Sequence, residues 1–124
     1  MSTWTSSDVS TIGEADELQI ASLRPDGNLR PYVTIWVVRA GDDLYVRSAH
    51  GPANPWFRRA VAAGAGRIRA GGIERDVTFG TADPDARAAI DQAYHLKYDH
   101  YPAEYVDPVV SAEAAVATIK LLPA

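Results

Sequence analysis

The chain has 124 residues, a net charge of −4 and an apolar content of 47%, which suffices to bury the core of one domain covering residues 1–124. It contains no cysteine, which excludes disulfides, thiolate metal sites and a cysteine nucleophile, and its negative charge argues against general binding to nucleic acid. No apolar run approaches the ~18 residues of a membrane span, and no secretory signal precedes the first strand, so we expect a cytoplasmic protein that does not contact membranes.

The first half of the chain predicts a short helix followed by three antiparallel strands. Ser6 or Ser7 is the predicted cap of an amphipathic helix that ends near Gly13, with Trp4 placed to pack ahead of it. The three strands are expected at residues 18–24, 29–39 and 44–48, with turns at 25–28 and 40–43. We expect the helix to cover this meander as a lid.

A second helix and a hairpin follow. Asn54 stands before a proline, which is the signature of a helix start, and the helix is expected to continue to residue 63. Gly71 and Gly72 separate strands predicted at 67–70 and 73–79, because a two-residue hairpin loop needs positive φ at its centre. In that register Arg69 lies opposite Glu74.

The last part of the chain predicts one more helix and one more strand. Asp83 before a proline begins the helix, Tyr94, Tyr98 and Tyr101 follow on one face of it, and Pro102 ends it. A final strand at 115–122 has the pattern of an edge or closing strand. The element order therefore predicts an α+β fold with a six-stranded antiparallel sheet, a short N-terminal helix and two further helices, and such sheets commonly curl into small barrels.

The second predicted strand has two unlike faces. Alternation places five apolar residues on the core face: Leu29, Pro31, Val33, Ile35 and Val37. The opposite face carries Arg30, Tyr32, Thr34, Trp36 and Val38. A cation, a hydroxyl and two aromatic rings on one face are typical of a ligand groove or a subunit interface, with ordinary cross-strand packing as the alternative.

The segment after the third strand favours an anion site. Arg47 and Ser48 end the strand, and the following helix begins with Trp56 and Arg58. A helix N-terminus offers unpaired amides and a positive dipole, which suit phosphate or carboxylate. Alternatively, the arginine of the helix is simply solvated and the tryptophan anchors the core.

The histidines and tyrosines are the remaining candidates for chemistry. His50 is a candidate general acid or base, because its ordinary pKa lies near neutrality. His95 and His100 show no metal-ligand spacing, so no metal site is expected. The three tyrosines of the late helix either offer hydroxyls to a polar substrate or pack the helix onto the sheet.

Two long segments carry a family resemblance. RPYVTIWVVRAGDDLYVRSAHGPANPWFRRA, followed by GRIRAGGIERDVTF, resembles the flavin-binding split β-barrel superfamily, which includes pyridoxamine phosphate oxidases and deazaflavin-dependent nitroreductases. TIWVVR, GDDLYVRS and GRIRAGG are most similar to an uncharacterised family, domain of unknown function 2255. The resemblance covers most of the chain and implies a split β-barrel that works as a homodimer, with a deazaflavin coenzyme or flavin mononucleotide (FMN) bound between the subunits.

The resemblance also implies roles for particular residues. The implied cofactor-binding residues are Arg30, Thr34, Trp36, Arg47, Ser48, His50, Gly51, Trp56 and Arg58. The implied substrate-binding residues are Tyr32, Tyr94, Tyr98 and Tyr101, and the candidate catalytic residues are His50 and Tyr98. Where deazaflavin-dependent relatives usually carry an asparagine-leucine pair after the tryptophan, this chain has Phe57-Arg58-Arg59.

Three functions are compatible with these features. The first is an oxidoreductase that uses a deazaflavin or flavin cofactor to transfer hydride to or from a small organic substrate. The second, favoured by the altered motif after Trp56, is a cofactor-free protein that binds a small molecule, or a cofactor-independent isomerase or cyclase using the same barrel pocket. The third is a structural dimer in which the partner chain fills the face of Arg30 and Trp36.

Overall fold

A computed structural model describes residues 3–124, in which the chain forms five α-helices and a seven-stranded antiparallel sheet. The helices are α1 (Ser6–Glu14), α2 (Pro55–Ala63), α3 (Arg87–Tyr98), α4 (Ala103–Val109) and α5 (Ala112–Ala115), with a 3-10 turn at Pro84–Ala86. The strands are β1 (Leu18–Ser22), β2 (Val33–Ile35), β3 (Val38–Ala40), β4 (Asp43–Arg47), β5 (Ala65–Ala70), β6 (Ile73–Thr81) and β7 (Thr118–Pro123). None of the helices in this part of the chain is long and apolar enough to cross a membrane.

The sheet curls into a half-barrel. Its strand order is β2-β1-β5-β6-β7-β4-β3, so β2 and β3 form its two edges. Only Trp36 and Val37 separate these two strands in the chain, so the edges must approach each other. The predicted α+β class and antiparallel sheet are therefore confirmed, and β7 closes the sheet between β6 and β4 and is not an edge strand.

The prediction of six strands was wrong because the second predicted strand is broken. The backbone amide of Val37 donates to the Tyr98 hydroxyl at 3.2 Å and not to a carbonyl oxygen of a neighbouring strand. The carbonyl oxygen of Val37 accepts from that hydroxyl and from the Lys97 ammonium. Side chains of α3 thus replace ladder hydrogen bonds at this point, and the strand divides into β2 and β3.

The prediction of two helices after the first one was also incomplete. The tyrosine-bearing helix α3 ends at Tyr98, three residues before the predicted end, and α4 and α5 follow it. Pro102 closes the predicted helix but also stands as the N-cap of α4, a position where proline is tolerated. Ser111 caps α5 by accepting a hydrogen bond from the Ala114 amide.

Helix α1 is anchored to the barrel. Its N-cap is Thr5, whose hydroxyl accepts from the Asp8 amide, so the prediction of Ser6 or Ser7 as the cap was wrong by one or two residues. Val9 and Ile12 are buried in the core inside the barrel, and α1 covers that core. Its movement as a lid stays a prediction.

The β5–β6 hairpin confirms the predicted register. Gly71 and Gly72 form its loop with φ of 59° and 83°, and Arg69 pairs with Glu74. The neighbouring pair, β1 with β5, approaches so closely at Gly66 that a Cβ there would lie 2.0 Å from the carbonyl oxygen of Ala21. Glycine is therefore required by the spacing of these two strands.

Two hydrophobic cores lie on opposite faces of the β3–β4 region. Val37, Leu44 and Val46 face the core inside the barrel. Val38 and Tyr45 face a second core, which α3 and α4 complete with Ile90, Tyr94, Tyr98, Val106 and Val109. The predicted alternation thus holds from Val33 to Val38 across the break, and helices cover the outer face where it carries Val38. The predicted core positions Leu29 and Pro31 were wrong, because the strand begins only at Val33 and both residues lie outside the two cores.

Candidate functional site

The candidate site is a cavity of about 320 Å³ beside the point where the second strand breaks. It is enclosed by β2, the end of β4, the loop from β4 to α2, the start of α2, and α4. Its lining residues are Thr34, Ile35, Trp36, Arg47, Ala49, His50, Asn54, Trp56, Glu104, Tyr105, Pro108 and Val109. The volume lies at the lower end of the range for small-molecule sites.

Aromatic rings form much of the cavity wall. The Trp36 ring stacks on Tyr98 with centroids 4.0 Å apart and an interplanar angle of 2°, which fixes the orientation of the indole. Trp56 meets Phe57 edge to face at 6.0 Å. Tyr105 is 58% exposed and stands at the rim. Two indoles held in place by neighbouring rings and one exposed phenol are suited to a flat, largely apolar ligand.

Arg47 is the buried cation of the cavity and is only 3% exposed. Its Nε donates to the Thr118 hydroxyl at 3.0 Å, and its Nη1 donates to the Val109 carbonyl oxygen and to Asp91. Within residues 3–124, Nη2 makes no hydrogen bond to protein. Asp91 therefore compensates the charge, and one guanidinium nitrogen remains available to a ligand.

His50, in the loop from β4 to α2, lines the cavity, whereas Ser48 and Gly51 fix the conformation of that loop. Ser48 is fully buried, and its hydroxyl donates to the Gly51 carbonyl oxygen at 2.6 Å. Gly51 adopts φ of 90°, where a side chain would be strained. Both residues shape the loop and do not line the cavity, whereas His50 lines it and is exposed.

The start of α2 adds polar groups to the same wall. Asn54 is the N-cap, but its side chain makes no capping hydrogen bond. The first-turn amides of a helix without a side-chain cap retain unpaired donors and the positive end of the helix dipole. Since Asn54 and Trp56 both line the cavity, this wall favours an anionic or carbonyl oxygen.

Two predicted cofactor-binding residues, Arg30 and Arg58, lie outside the cavity. They line a separate groove of about 920 Å³ between the β1–β2 turn and α2, together with Arg24 and Arg59. A small cleft lined by Arg30, Trp56 and Arg59 lies between the groove and the cavity wall. The predicted anion-binding residues are thus divided between two sites: Arg47 and Trp56 line the cavity, whereas Arg30 and Arg58 line the groove.

The predicted substrate-binding tyrosines also lie outside the cavity. Tyr94 and Tyr98 are fully buried in the core of α3 and α4, and burial raises the pKa of both phenols well above the usual range. The Tyr101 hydroxyl binds the Asp16 carboxylate, and the Tyr32 ring lies under the Arg69 guanidinium at 4.1 Å. Tyr98 reaches the site only through its stacking on Trp36, and a catalytic role for it stays a prediction.

The sequence predictions missed the wall contributed by α4. Four of the lining residues belong to a helix that the sequence pattern does not predict: Glu104, Tyr105, Pro108 and Val109. The pattern identifies Asn54 only as a helix cap. The alanine and glutamate directly after Pro102 are the signal that could have indicated a new helix start. In the described part of the chain, no three His, Asp or Glu side chains lie close enough together to hold a metal ion.

Solved structures with the same fold include several that are described by the cofactor they bind. An F420 reductase matches with a TM-score of 0.59 and 21% identity over 93% of this chain and 91% of its own. An FAD-binding protein from Mesorhizobium loti matches with a TM-score of 0.59 and 12% identity over 98% of this chain and 91% of its own.

A third match is the FAD and heme binding protein from Mycobacterium smegmatis, with a TM-score of 0.54 and 19% identity over 99% of this chain and 67% of its own. At these identities the likeness shows the fold alone. The half-barrel therefore has the same fold as these three structures, in agreement with the split β-barrel that the sequence predicted.

A search of functionally curated proteins gave no match. A family model does match, over residues 8–121, and these residues include every strand and helix except the first two residues of α1 and the last two of β7. The chain therefore belongs to the family described as uncharacterized proteins conserved in bacteria, DUF2255.

Proposed function

We propose that this protein is an oxidoreductase that binds the ring of a flavin or deazaflavin cofactor in the aromatic cavity and transfers hydride to or from a small organic substrate. The observation that carries the proposal is the combination, in one cavity, of two oriented indoles with a buried arginine that keeps one nitrogen free. A planar heteroaromatic ring has apolar faces and polar edges, and these walls match both.

The described residues fit such a ring. Trp36 and Trp56 supply stacking surface, while Arg47 and the start of α2 supply donors for carbonyl oxygens or nitrogens at a ring edge. The cofactor would supply the hydride chemistry, and the protein would bind, orient and desolvate the reactants. Among the cavity residues, His50 is exposed, titratable and unengaged in any hydrogen bond within residues 3–124, so it is the proposed proton donor or acceptor for the substrate.

We also propose that the working form is a homodimer. The strand β2 is an edge strand beside the cavity, pairing only with β1, and its Thr34 is exposed. Tyr105 at the rim is likewise exposed, and a large aromatic side chain at an open rim is typical of a surface that a partner covers. Light scattering after size-exclusion chromatography should give about twice the monomer mass of 13.4 kDa.

A second candidate function rests on the pairing of Arg47 with Asp91. Because this charge is already compensated, the cavity does not require an anionic ligand. Its volume of about 320 Å³ also suits a small metabolite bound without a cofactor, either by a carrier or by a cofactor-independent isomerase or cyclase.

Equilibrium titration with FMN, FAD and the deazaflavin coenzyme F420 separates the two functions. We expect saturable quenching of cofactor and tryptophan fluorescence at micromolar concentration for at least one of the three. Tyr105→Ala and His50→Ala alter exposed cavity residues without disturbing the core and should weaken binding, whereas Leu96→Ala, at a residue 80% exposed on α3, should not. Absence of binding by all three compounds at millimolar concentration would favour the cofactor-free alternative.

A further inference from the structure

The arginines of this chain fall into two groups. Six of the ten have a carboxylate oxygen within 4.0 Å: Arg39, Arg47, Arg67, Arg69, Arg75 and Arg87. Within residues 3–124, the other four have none: Arg24, Arg30, Arg58 and Arg59. All four line the same groove between the β1–β2 turn and α2. The unpaired arginines are therefore concentrated at one place on the molecule.

Two rigid elements hold this cluster. The turn that carries Arg24 is closed by a hydrogen bond from its amide to the Asn28 carbonyl oxygen at 2.8 Å, with Gly27 at φ of 88°. The Arg30 amide donates to the Ser22 carbonyl oxygen at 2.9 Å. Residues 58 and 59 follow one another in the middle of α2, so the groove has arginines from both of its walls.

The electrostatics of this groove are unfavourable without a ligand. Four guanidinium groups of like charge repel one another, and within residues 3–124 none of the 16 acidic residues lies within ion-pair distance of them. Asp26 belongs to the same turn; its carboxylate accepts a hydrogen bond from the Asn28 amide, and this bond, together with the more distant charge of Arg24, lowers its pKa. The Nε of Arg30 is buried and has no hydrogen-bond partner, which costs free energy until an acceptor binds.

We propose that this groove binds a diphosphate group, so that the cofactor of this protein is a dinucleotide whose ring end lies in the aromatic cavity. The small cleft beside them shares Arg30 and Arg59 with the groove and Trp56 with the cavity, so the two sites are neighbours. Four guanidinium groups exceed what one phosphate monoester needs, and they match the several negative charges and acceptor oxygens of a diphosphate. The inference rests on the proposed function for the identity of the cofactor, although anion binding by the groove can be measured separately.

Calorimetric titration with inorganic pyrophosphate tests the groove alone. We expect saturable binding at least tenfold tighter than that of orthophosphate at the same ionic strength. Arg58→Gln/Arg59→Gln should weaken pyrophosphate binding at least tenfold, and the charge-matched control Arg67→Gln/Arg69→Gln, on the exposed face of β5, should change it less than twofold. An equal loss in both double variants, or no preference for pyrophosphate over orthophosphate, overturns the proposal.

Titration with FAD, FMN and ADP then separates this inference from the proposed function. We expect FAD to displace pyrophosphate and to bind at least tenfold more tightly than FMN, with that advantage lost in Arg58→Gln/Arg59→Gln. Tyr105→Ala, in the cavity, should weaken the binding of FAD but leave the affinity for ADP unchanged. Flavin binding without any pyrophosphate site overturns this inference alone. A protein that binds pyrophosphate and ADP but none of FAD, FMN and F420 assigns the diphosphate to a free nucleotide and overturns the proposed function.

Discussion

The Tyr98 hydroxyl lies 3.2 Å from the amide nitrogen of Val37 and 3.0 Å from its carbonyl oxygen. The same hydroxyl lies 2.8 Å from the carbonyl oxygen of Asp16, beyond the end of α1. One fully buried phenol thus holds together α3, the break in the second strand and the segment after α1. Since Trp36 stacks on this ring, the position of the cavity wall depends on it as well.

Replacing Tyr98 with Phe should therefore destabilise the protein. The substitution leaves the Val37 amide buried without its acceptor, which typically costs about 1–3 kcal/mol. Urea unfolding followed by circular dichroism measures the change. Tyr101→Phe is the matched control, because its hydroxyl binds the carboxylate of Asp16 near the surface, and we expect a loss under about 1 kcal/mol. Equal losses in the two variants would contradict a special role for Tyr98.

Lys97 should make stability depend on pH. Burial lowers the pKa of this ammonium from 10.5 to about 8, against the attraction of Asp16. Between pH 8 and 10.5 the unfolded chain therefore binds more protons than the folded chain at this position, so the contribution of Lys97 to the free energy of unfolding rises with pH. We expect the free energy of unfolding of the wild type, relative to that of Lys97→Met, to increase over this interval.

Above pH 10 the buried tyrosines should lower the free energy of unfolding, which is the opposite of the effect of Lys97. Their pKa is raised in the folded state, so the unfolded chain loses these protons first and stability falls as pH rises further. Urea unfolding at intervals of half a pH unit from 7 to 11 measures both effects. A difference between wild type and Lys97→Met that stays constant from pH 8 to 10 would contradict the assignment to Lys97.

The pairing of Arg47 with Asp91 should be important for stability. Asp91→Asn leaves a buried guanidinium without its counter-charge, and we expect a loss of about 2–3 kcal/mol, below the range for fully buried pairs because Asp91 is partly exposed. Arg87→Gln removes the longer contact to the same carboxylate, at 3.8 Å on the surface, and should cost under about 1 kcal/mol. Chemical denaturation of the two variants compares the losses, and a larger effect at Arg87 would contradict this account.

How far the sequence predicts the fold depends on which contacts decide each element. The β5–β6 hairpin follows from Gly71 and Gly72, and α2 follows from Asn54 before a proline, because local conformational preferences determine both. The break at Val37 was not predictable, because its cause is a side chain 61 residues away. The alternating pattern of the sequence alone predicts an uninterrupted strand through Val37.

The candidate site was predictable to a similar extent. Thr34, Trp36, Arg47, His50 and Trp56 come together as the resemblance implied, since they lie on β2, β4 and the segment directly after β4. The division between cavity and groove was not apparent, because it depends on how α2 packs against the β1–β2 turn. The helical repeat in the sequence did not distinguish a core tyrosine from a substrate-binding one, and Tyr94 and Tyr98 are core residues.

The close approach of β1 and β5 at Gly66 gives a test of the sheet itself. Gly66→Ala places a Cβ against the backbone carbonyl of Ala21, so we expect a loss of about 3 kcal/mol or more, or no folded protein. Gly80→Ala is the control, because its Cβ meets the flexible end of the Leu122 side chain at 3.2 Å. Thermal unfolding should show a much smaller loss of stability for Gly80→Ala than for Gly66→Ala. Equal losses in the two variants would contradict the close pairing of β1 with β5.

The location of the cofactor is the central claim, and a crystal structure grown with saturating FAD or F420 tests it most directly. We expect density for the ring against Trp36 and Trp56, within reach of Arg47, in the cavity beside α4. Ring density at another face of the barrel would contradict it, as would a cavity that contains only water after crystals are soaked at millimolar cofactor.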